Sequence, residues 1–206
     1  MAYIDLTHIF NNDTPVFPGD PEPELVKIAE VGKDGFMDHQ VKTAMHVGTH
    51  MDAPAHMVQG GKLLSEYPAE KFFGRGVIID ARGKTSADAE LLSNVDIKKG
   101  DIVLVCFGWS TEFENDEYYK NYPEITEPFA NRLGELGASI IGTDTSSPDR
   151  APYVVHKILF KHDILIIENL TNLEKLIGKT NFEVIALPTK FQADAAPVRV
   201  VAKTNE

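Results

Sequence analysis

Short apolar runs recur along the chain from residue 76 onward, and each is bounded by Gly, Asp or Pro. They are rich in Val and Ile, which is typical of strands that are buried on both faces of a sheet. The pattern therefore predicts strands within GVIIDA (76–81), DIVLVCF (101–107), ASIIGTD (138–144), DILIIEN (163–169), FEVIALP (182–188) and PVRVVA (197–202).

Segments with the spacing of helices lie between these runs, namely ITEPFANRLGELG (125–137), PYVVHKILFKHD (152–163) and TNLEKLIG (171–178). The first ends at Gly137, a common residue at helix C-termini. The second opens with Pro152, which suits a first helical turn. The third begins with Thr171 as a cap and carries Glu174 three residues on. Because strands outnumber helices, we expect an α/β fold with a mixed, strand-rich sheet that few helices cover.

The composition is that of an ordinary globular protein, with 206 residues, 43% hydrophobic and 25% charged. Neither a repeat nor a linker divides the chain, so we expect one domain over residues 1–206. The net charge of -11 argues against nucleic acid as a partner. No apolar run approaches the roughly 20 residues that cross a bilayer, and the first residues lack the pattern of a secretion signal. Cys106 is the only cysteine, which excludes an intramolecular disulfide and fits a cytoplasmic protein.

The segment MHVGTHMDAPAH (45–56) concentrates His46, His50, Asp52 and His56 in a chain that has seven histidines. Imidazole and carboxylate groups are ligands that suit zinc or manganese. A single histidine is more often solvated or hydrogen-bonded to the core, but this concentration around a glycine favours a metal site.

Spacing requires the chain to bend between two of these histidines. On a straight strand His46 and His50 would lie about 13 Å apart, at roughly 3.3 Å per residue. Two imidazoles that bind one ion at about 2.1 Å cannot span that distance. Gly48 lies where the bend is easiest. The segment therefore predicts a strand, HQVKTAM (39–45), that runs into a tight turn holding the ligands.

Two further residues are candidate ligands. Glu168 ends an apolar strand, where burial of an unpaired carboxylate is costly and a cation would remove that cost. His156 lies in the predicted helix just before this strand. On the residues alone, Glu168 could equally pair with a lysine or a backbone amide, and His156 could simply be half-buried on a helix face.

HVGTHMDAPAH (46–56) fits the pattern H-x-G-T-H-x-D-x-P-x-H and resembles the cyclase-like metal-dependent hydrolases of the kynurenine formamidase and isatin hydrolase type. The resemblance extends over most of the chain, although Ala195 stands where many members have glycine. It includes DLTHIFNNDTPVFPGDP (5–21), IIGTDTSSPD (140–149), HKILFKHDILIIENLTNLEKL (156–176) and VIALPTKFQADAAPVRVVA (184–202).

The resemblance implies a swivelling β/β/α domain. It favours the two-metal site of the kynurenine formamidases, usually with zinc, over the single-metal arrangement of isatin hydrolase, usually with manganese. In this pattern one ion is held by His46, His50 and Asp52, and Asp52 bridges to a second ion. His156 and Glu168 would complete the second ion's site. His56 would act nearby as a general acid/base. The resemblance also implies a homo-oligomer, a dimer or a higher assembly.

The activity implied is hydrolysis of an amide by metal-activated water, with an arylformamide such as N-formylkynurenine as the first choice of substrate. Hydrolysis of a cyclic amide of the isatin type and a metal-binding module without turnover are the alternatives. The insert STEFENDEYYKNYPE (110–124) could cover the site or be a solvated loop. Aromatic residues that could line a pocket, or pack elsewhere, are Phe17, Phe107, Trp109, Tyr118 and Tyr119.

Overall fold

The computed structural model describes residues 1–205, in which strands greatly outnumber helices. The α-helices are α1 (Val31–Asp34), α2 (Glu127–Leu136) and α3 (Val154–Lys161). The strands are β1 (Ala2–Asp5), β2 (Glu24–Ala29), β3 (Asp38–Lys42), β4 (His50–Asp52), β5 (Phe73–Asp80), β6 (Ser86–Ala87), β7 (Ile102–Cys106), β8 (Glu124–Ile125), β9 (Ile140–Thr143), β10 (Leu165–Glu168), β11 (Phe182–Pro188) and β12 (Ala195–Thr204).

The main sheet has eight strands in the order β1-β12-β11-β5-β7-β9-β10-β4, and β4 also pairs with β12. This extra pairing curls the sheet back on itself in a barrel-like arrangement. The ladder from β5 through β7 and β9 to β10 is parallel, whereas the remaining pairs of this sheet are antiparallel. The strand-rich, mixed α/β fold predicted from the apolar runs is confirmed.

Two hydrophobic cores lie on opposite faces of this sheet, because successive side chains of a strand point in opposite directions. On β7, Leu104 packs in the same core as Met51. Its neighbour Val103 packs in the other core, where Phe129 of α2 and Leu159 of α3 cover the sheet. The central strands are buried on both faces, as their continuous apolar sequences predicted.

Helix α2 forms as its sequence predicted. The Thr126 side chain accepts a hydrogen bond from the Phe129 backbone N–H at its start, and Gly137 ends it with a left-handed φ of 76°. The prediction for 171–178 was wrong, because this segment contains only a 3-10 turn, Leu173–Leu176. Asn172 precedes that turn with a left-handed φ of 59°, so Thr171 does not serve as its cap.

Helix α3 begins two residues later than the position of Pro152 suggested. The Ala151–Pro152 peptide bond is cis, and Tyr153 has a φ of 59°. A left-handed residue cannot lie inside an α-helix, so the helix starts at Val154. None of the helices in the described part of the chain has the length and apolar content needed to span a bilayer.

The strand predicted over residues 39–45 is shorter than expected and lies outside the main sheet. It corresponds to β3, which pairs with β2 in an exposed two-stranded sheet. The chain then turns and enters the main sheet as β4, a separate and fully buried strand. The candidate ligands of this segment therefore lie on a turn and on β4, not at the end of β3.

Candidate metal centre

The turn between His46 and His50 is built around Gly48, whose φ of +67° is left-handed. Its carbonyl oxygen accepts hydrogen bonds from His50 Nδ1 at 2.8 Å and from Asn169 Nδ2 at 2.9 Å. The first bond places the proton of His50 on Nδ1, which leaves Nε2 available as a ligand atom. The bend predicted from the spacing is present, and it also fixes the orientation of one imidazole.

Strand pairing brings His50 beside Glu168. The two residues are register partners on β4 and β10, and His50 Nε2 lies 3.2 Å from Glu168 Oε2. Asp52 lies two residues further on β4, and its Oδ1 is 3.3 Å from His50 Nε2. Met51, between them, points into the core on the other face. All three polar side chains are therefore on the face of the sheet that α3 covers.

Helix α3 adds His156 to this group. His156 Nε2 lies 3.4 Å from Glu168 Oε1, and Nδ1 donates to Asp149 Oδ1 at 2.5 Å. The other oxygen of Asp149 accepts from the Val155 backbone N–H at 2.7 Å. Asp149 thus caps the first turn of α3 and directs His156 Nε2 toward Glu168.

The remaining two histidines meet at Asp194, in the segment that leads into β12. His46 Nε2 donates to Asp194 Oδ2 at 2.9 Å, and His56 Nδ1 donates to the same oxygen at 3.3 Å. His46 Nδ1 faces Asp52 Oδ1 at 3.1 Å. The structure therefore brings all six sequence-predicted site residues into one cluster.

The donor atoms fall into two groups that share Asp52. One contains His50, Asp52 and Glu168, the other His46, Asp52 and His56, and the atoms of each lie within 4.8 Å of one another. Two ligand atoms that each bind an ion at about 2.1 Å would be separated by a distance of this order. The shared carboxylate suits a bridging role. The grouping differs from the expected one, because His50 groups with Glu168, His56 groups with His46, and His156 belongs to neither group.

Buried polar atoms without partners show that these residues fit a cation. Within residues 1–205, His50 Nε2 and both carboxylate oxygens of Asp52 are buried and lack a hydrogen bond. His50 is 1% exposed and Asp52 0% exposed. Burying polar atoms without hydrogen bonds costs free energy of folding. A divalent cation bound by the imidazole nitrogen and the carboxylate oxygens would offset that cost.

Charge in the cluster is balanced between carboxylates and imidazoles. Burial lowers the pKa of His46, but neighbouring carboxylates, chiefly Asp52, outweigh it and raise that pKa to about 10. Burial also opposes protonation of His156, yet Asp149 and the adjoining carboxylate raise its pKa to about 9. A divalent cation competes with these protons for the same ring nitrogens, because a ligating imidazole must be neutral.

His56 has the opposite electrostatic environment. Burial lowers its pKa, the charges of His46 and His156 lower it further, and Asp52 only partly opposes them. A lowered pKa favours the neutral form of His56, which can accept a proton. It is the imidazole of the cluster that is best suited to proton transfer.

Three residues that contact the cluster were missed by the sequence analysis. Asp149 and Asp194 orient imidazoles, and the buried Asn169 donates to the Gly48 carbonyl and accepts from the Tyr118 hydroxyl. Asn169 follows Glu168 directly, and Asp149 precedes the helix of His156. Asp194 had no local signal beyond its place in the closing segment.

Comparison with known sequences places this arrangement in a family. The sequence model of one family, described as "Putative cyclase", matches residues 4–150. The chain belongs to the Cyclase family. Kynurenine formamidase of Bacillus mycoides is 30% identical to it over 206 residues, which cover 98% of this chain and 97% of that enzyme.

Solved structures of similar proteins have the same fold. A potential metal-dependent hydrolase with cyclase activity superposes with a TM-score of 0.85 and 27% identity, over 100% of this chain and 98% of that one. Isatin hydrolase A from Labrenzia aggregata, bound to benzyl benzoate, has a TM-score of 0.88 and 26% identity, over 100% of this chain and 94% of that one.

In this Cyclase family member a pocket of about 250 Å³ opens onto the cluster and includes His46, His56, His156 and Glu168 in its lining. Of the aromatic candidates, Phe17 and Tyr119 line this pocket, together with Tyr153. Phe107, Trp109 and Tyr118 do not line it, and Tyr118 is fully buried. Tyr119 donates to the Pro15 carbonyl at 2.9 Å, so the insert 110–124 contributes part of the wall.

Removal of the Asp149 side chain is expected to weaken metal binding. Without an acceptor for Nδ1, His156 loses its fixed orientation, and Asp149→Ala should lower metal affinity by about 10–100-fold. Asp149→Asn keeps one acceptor oxygen and should recover part of that loss. Titration of the purified variants with zinc in a calorimeter measures the effect. Equal affinity in wild type and Asp149→Ala would contradict this role.

Proposed function

We propose that this protein is a metal-dependent hydrolase that cleaves an amide bond, most like an arylformamidase. The observation that carries the proposal is the set of buried atoms of His50 and Asp52 that lack hydrogen bonds beside Glu168, next to an open pocket. The metal-dependent hydrolase and the kynurenine formamidase to which the chain is similar support the same class.

The ions would be held by His46, His50, Asp52, His156 and Glu168, with Asp52 shared between two ions. A bound divalent ion supplies two effects: it lowers the pKa of water from about 15.7 toward 7, and it polarises the amide carbonyl. We propose two zinc ions per chain, with manganese as the alternative. The imidazole and carboxylate ligands suit both metals.

His56 is the proposed general acid/base. Its Nδ1–H donates to Asp194, which leaves Nε2 without a proton. That nitrogen can accept a proton from the attacking water and return it to the leaving nitrogen of the amide. Asp194 restricts the rotation of the ring, and this orientation lowers the entropic cost of the transfer.

The pocket walls favour an aromatic substrate. Phe17, Tyr119 and Tyr153 offer ring faces and edges, and Met57 adds an adaptable apolar surface. An aryl ring held there would present its amide group to the His and carboxylate cluster. N-formylkynurenine, which would yield kynurenine and formate, is the proposed substrate. A cyclic aryl amide such as isatin is the second candidate, since isatin hydrolase A has the same fold.

Parallel assays of metal-loaded protein on N-formylkynurenine and isatin test the proposal. We expect the zinc-loaded protein to hydrolyse the formamide, and a chelator to abolish turnover. A cation held at 100 times its Kd should also stabilise the fold by about 2.7 kcal/mol, measured as a higher Tm. Hydrolysis of isatin alone would favour the second candidate. Metal binding without turnover of either amide would contradict the enzymatic role.

We also propose that the protein is a cytoplasmic homo-oligomer, of which a dimer is the simplest form. Cys106 is buried and unpaired, as is usual in a reducing compartment. Apolar side chains on the exposed β2–β3 sheet support an intermolecular contact, namely Val26, Ile28 and Val41, each at least half exposed.

A further inference from the structure

In the loop that follows β9, the hydroxyl group of Ser146 forms no hydrogen bond within residues 1–205. Ser146 is 4% exposed and lines the pocket beside the metal cluster. Among residues 1–205, its Oγ is buried and has no hydrogen-bond partner. A buried hydroxyl without a partner is costly, so its position calls for an explanation in terms of a ligand.

The other hydroxyl groups of this segment form hydrogen bonds within it. Thr143 Oγ1 lies 2.7 Å from Thr145 Oγ1, Thr145 Oγ1 donates to the Ser147 carbonyl at 2.8 Å, and Ser147 Oγ donates to the Asp149 carbonyl at 2.9 Å. These residues alternate along the chain, and Ser146 lies between two of them. These bonds fix the loop around Ser146, which lines the pocket.

Backbone bonds place this loop next to the ligand-bearing strand. The Asn169 N–H donates to the Thr145 carbonyl at 2.9 Å. Asn169 directly follows Glu168, so Ser146 adjoins the end of β10 where that carboxylate lies. The position of Ser146 is therefore set by the same strand end that positions a proposed metal ligand.

Other neutral polar side chains of the pocket, apart from Tyr153, form hydrogen bonds within the protein. The Tyr119 hydroxyl donates to the Pro15 carbonyl, and both polar atoms of the Asn169 amide are bonded. Glu168 and Asp20, which also line the pocket, carry carboxylates that only accept hydrogen bonds when ionised. Ser146 is thus a neutral donor that no protein group within residues 1–205 uses.

We propose that Ser146 Oγ donates a hydrogen bond to the carbonyl oxygen of the bound amide. This oxygen is an acceptor and gains negative charge as water adds to the carbonyl carbon. A fixed donor stabilises that charge most in the transition state. The inference rests on the proposed amide hydrolase function and adds a residue to its catalytic machinery.

Ser146→Ala tests the proposal, with Thr204→Val as a matched control. Thr204 also has a buried hydroxyl without a partner within residues 1–205, but it lies on β12 outside the pocket lining. With zinc-loaded protein and N-formylkynurenine, Ser146→Ala should lower kcat by about 10²-fold, with a much smaller change in KM. Thr204→Val should keep the wild-type kcat.

Stability provides a readout that is independent of turnover. Ser146→Ala removes a hydroxyl that forms no hydrogen bond in the protein, so its Tm should not fall. Ser147→Ala loses a buried hydrogen bond, and its Tm should fall by about 2–4 °C. A Tm loss of that size in Ser146→Ala would overturn the proposal, as would an unchanged kcat or an effect on KM alone. If wild-type protein hydrolyses neither amide, the proposed function itself fails, and with it the carbonyl that Ser146 would bind.

Discussion

His50→Ala is expected to abolish metal binding and, with it, hydrolysis of the amide. His50 Nε2 lies between Asp52 Oδ1 at 3.3 Å and Glu168 Oε2 at 3.2 Å, on a side chain that is 1% exposed. We expect metal affinity to fall by more than about 100-fold, beyond the 10–100-fold effect typical of residues that only orient ligands. Elemental analysis after gel filtration measures the bound metal.

His39→Ala is the control for this variant, because His39 lies on the exposed strand β3, away from the cluster. It should retain wild-type metal content and turnover. Circular dichroism would verify that His50→Ala keeps its secondary structure, since the variant also leaves two buried carboxylates without their imidazole. Retention of metal and activity in a folded His50→Ala protein would contradict the proposed centre.

The sheet could be predicted from the sequence because its central strands are buried on both faces. Each of the six apolar runs overlaps a strand of the main sheet, and FEVIALP coincides with β11, whereas β5 and β12 extend beyond their runs. On such strands tertiary burial and local β-propensity favour the same residues. The pattern therefore located the elements without knowledge of their partners.

β4 was not predicted, because its short sequence has an apolar side chain on one face and polar side chains on the other. Met51 packs in a hydrophobic core, whereas His50 and Asp52 on the other face belong to the polar cluster. Three residues with two polar side chains do not resemble a buried strand. Its conformation is determined by pairing with β10 and β12, partners distant in the sequence.

The candidate ligands could be recognised in the sequence because three of them lie, together with His56, within one short motif. Residues that orient them could not, since they are brought together only by the fold. Asp194 is 148 residues from His46 and 138 residues from His56. The assignment of Asp194 to the site depends on the pairing of β12 with β4, which no local pattern predicts.

His56→Ala is expected to reduce kcat by about 10²–10⁴-fold while the protein keeps its metal. The imidazole, oriented by Asp194, would transfer a proton between water and the leaving nitrogen, and alanine cannot do this. His56→Gln retains a polar side chain of similar length but does not titrate near pH 7, so it should be as impaired as the alanine variant. Turnover of N-formylkynurenine and metal content should be measured on the same preparations.

The metal content of these variants distinguishes a role of His56 in proton transfer from a role as a metal ligand. Its ring belongs to a group with His46 and Asp52 whose donor atoms could hold an ion. If His56 transfers protons, the two variants retain the metal and lose turnover, and the bond to Asp194 serves to orient the ring. If both variants lose metal in proportion to activity, His56 is a ligand. The general acid/base would then have to be another group of the pocket, since a nitrogen that binds a cation cannot accept a proton.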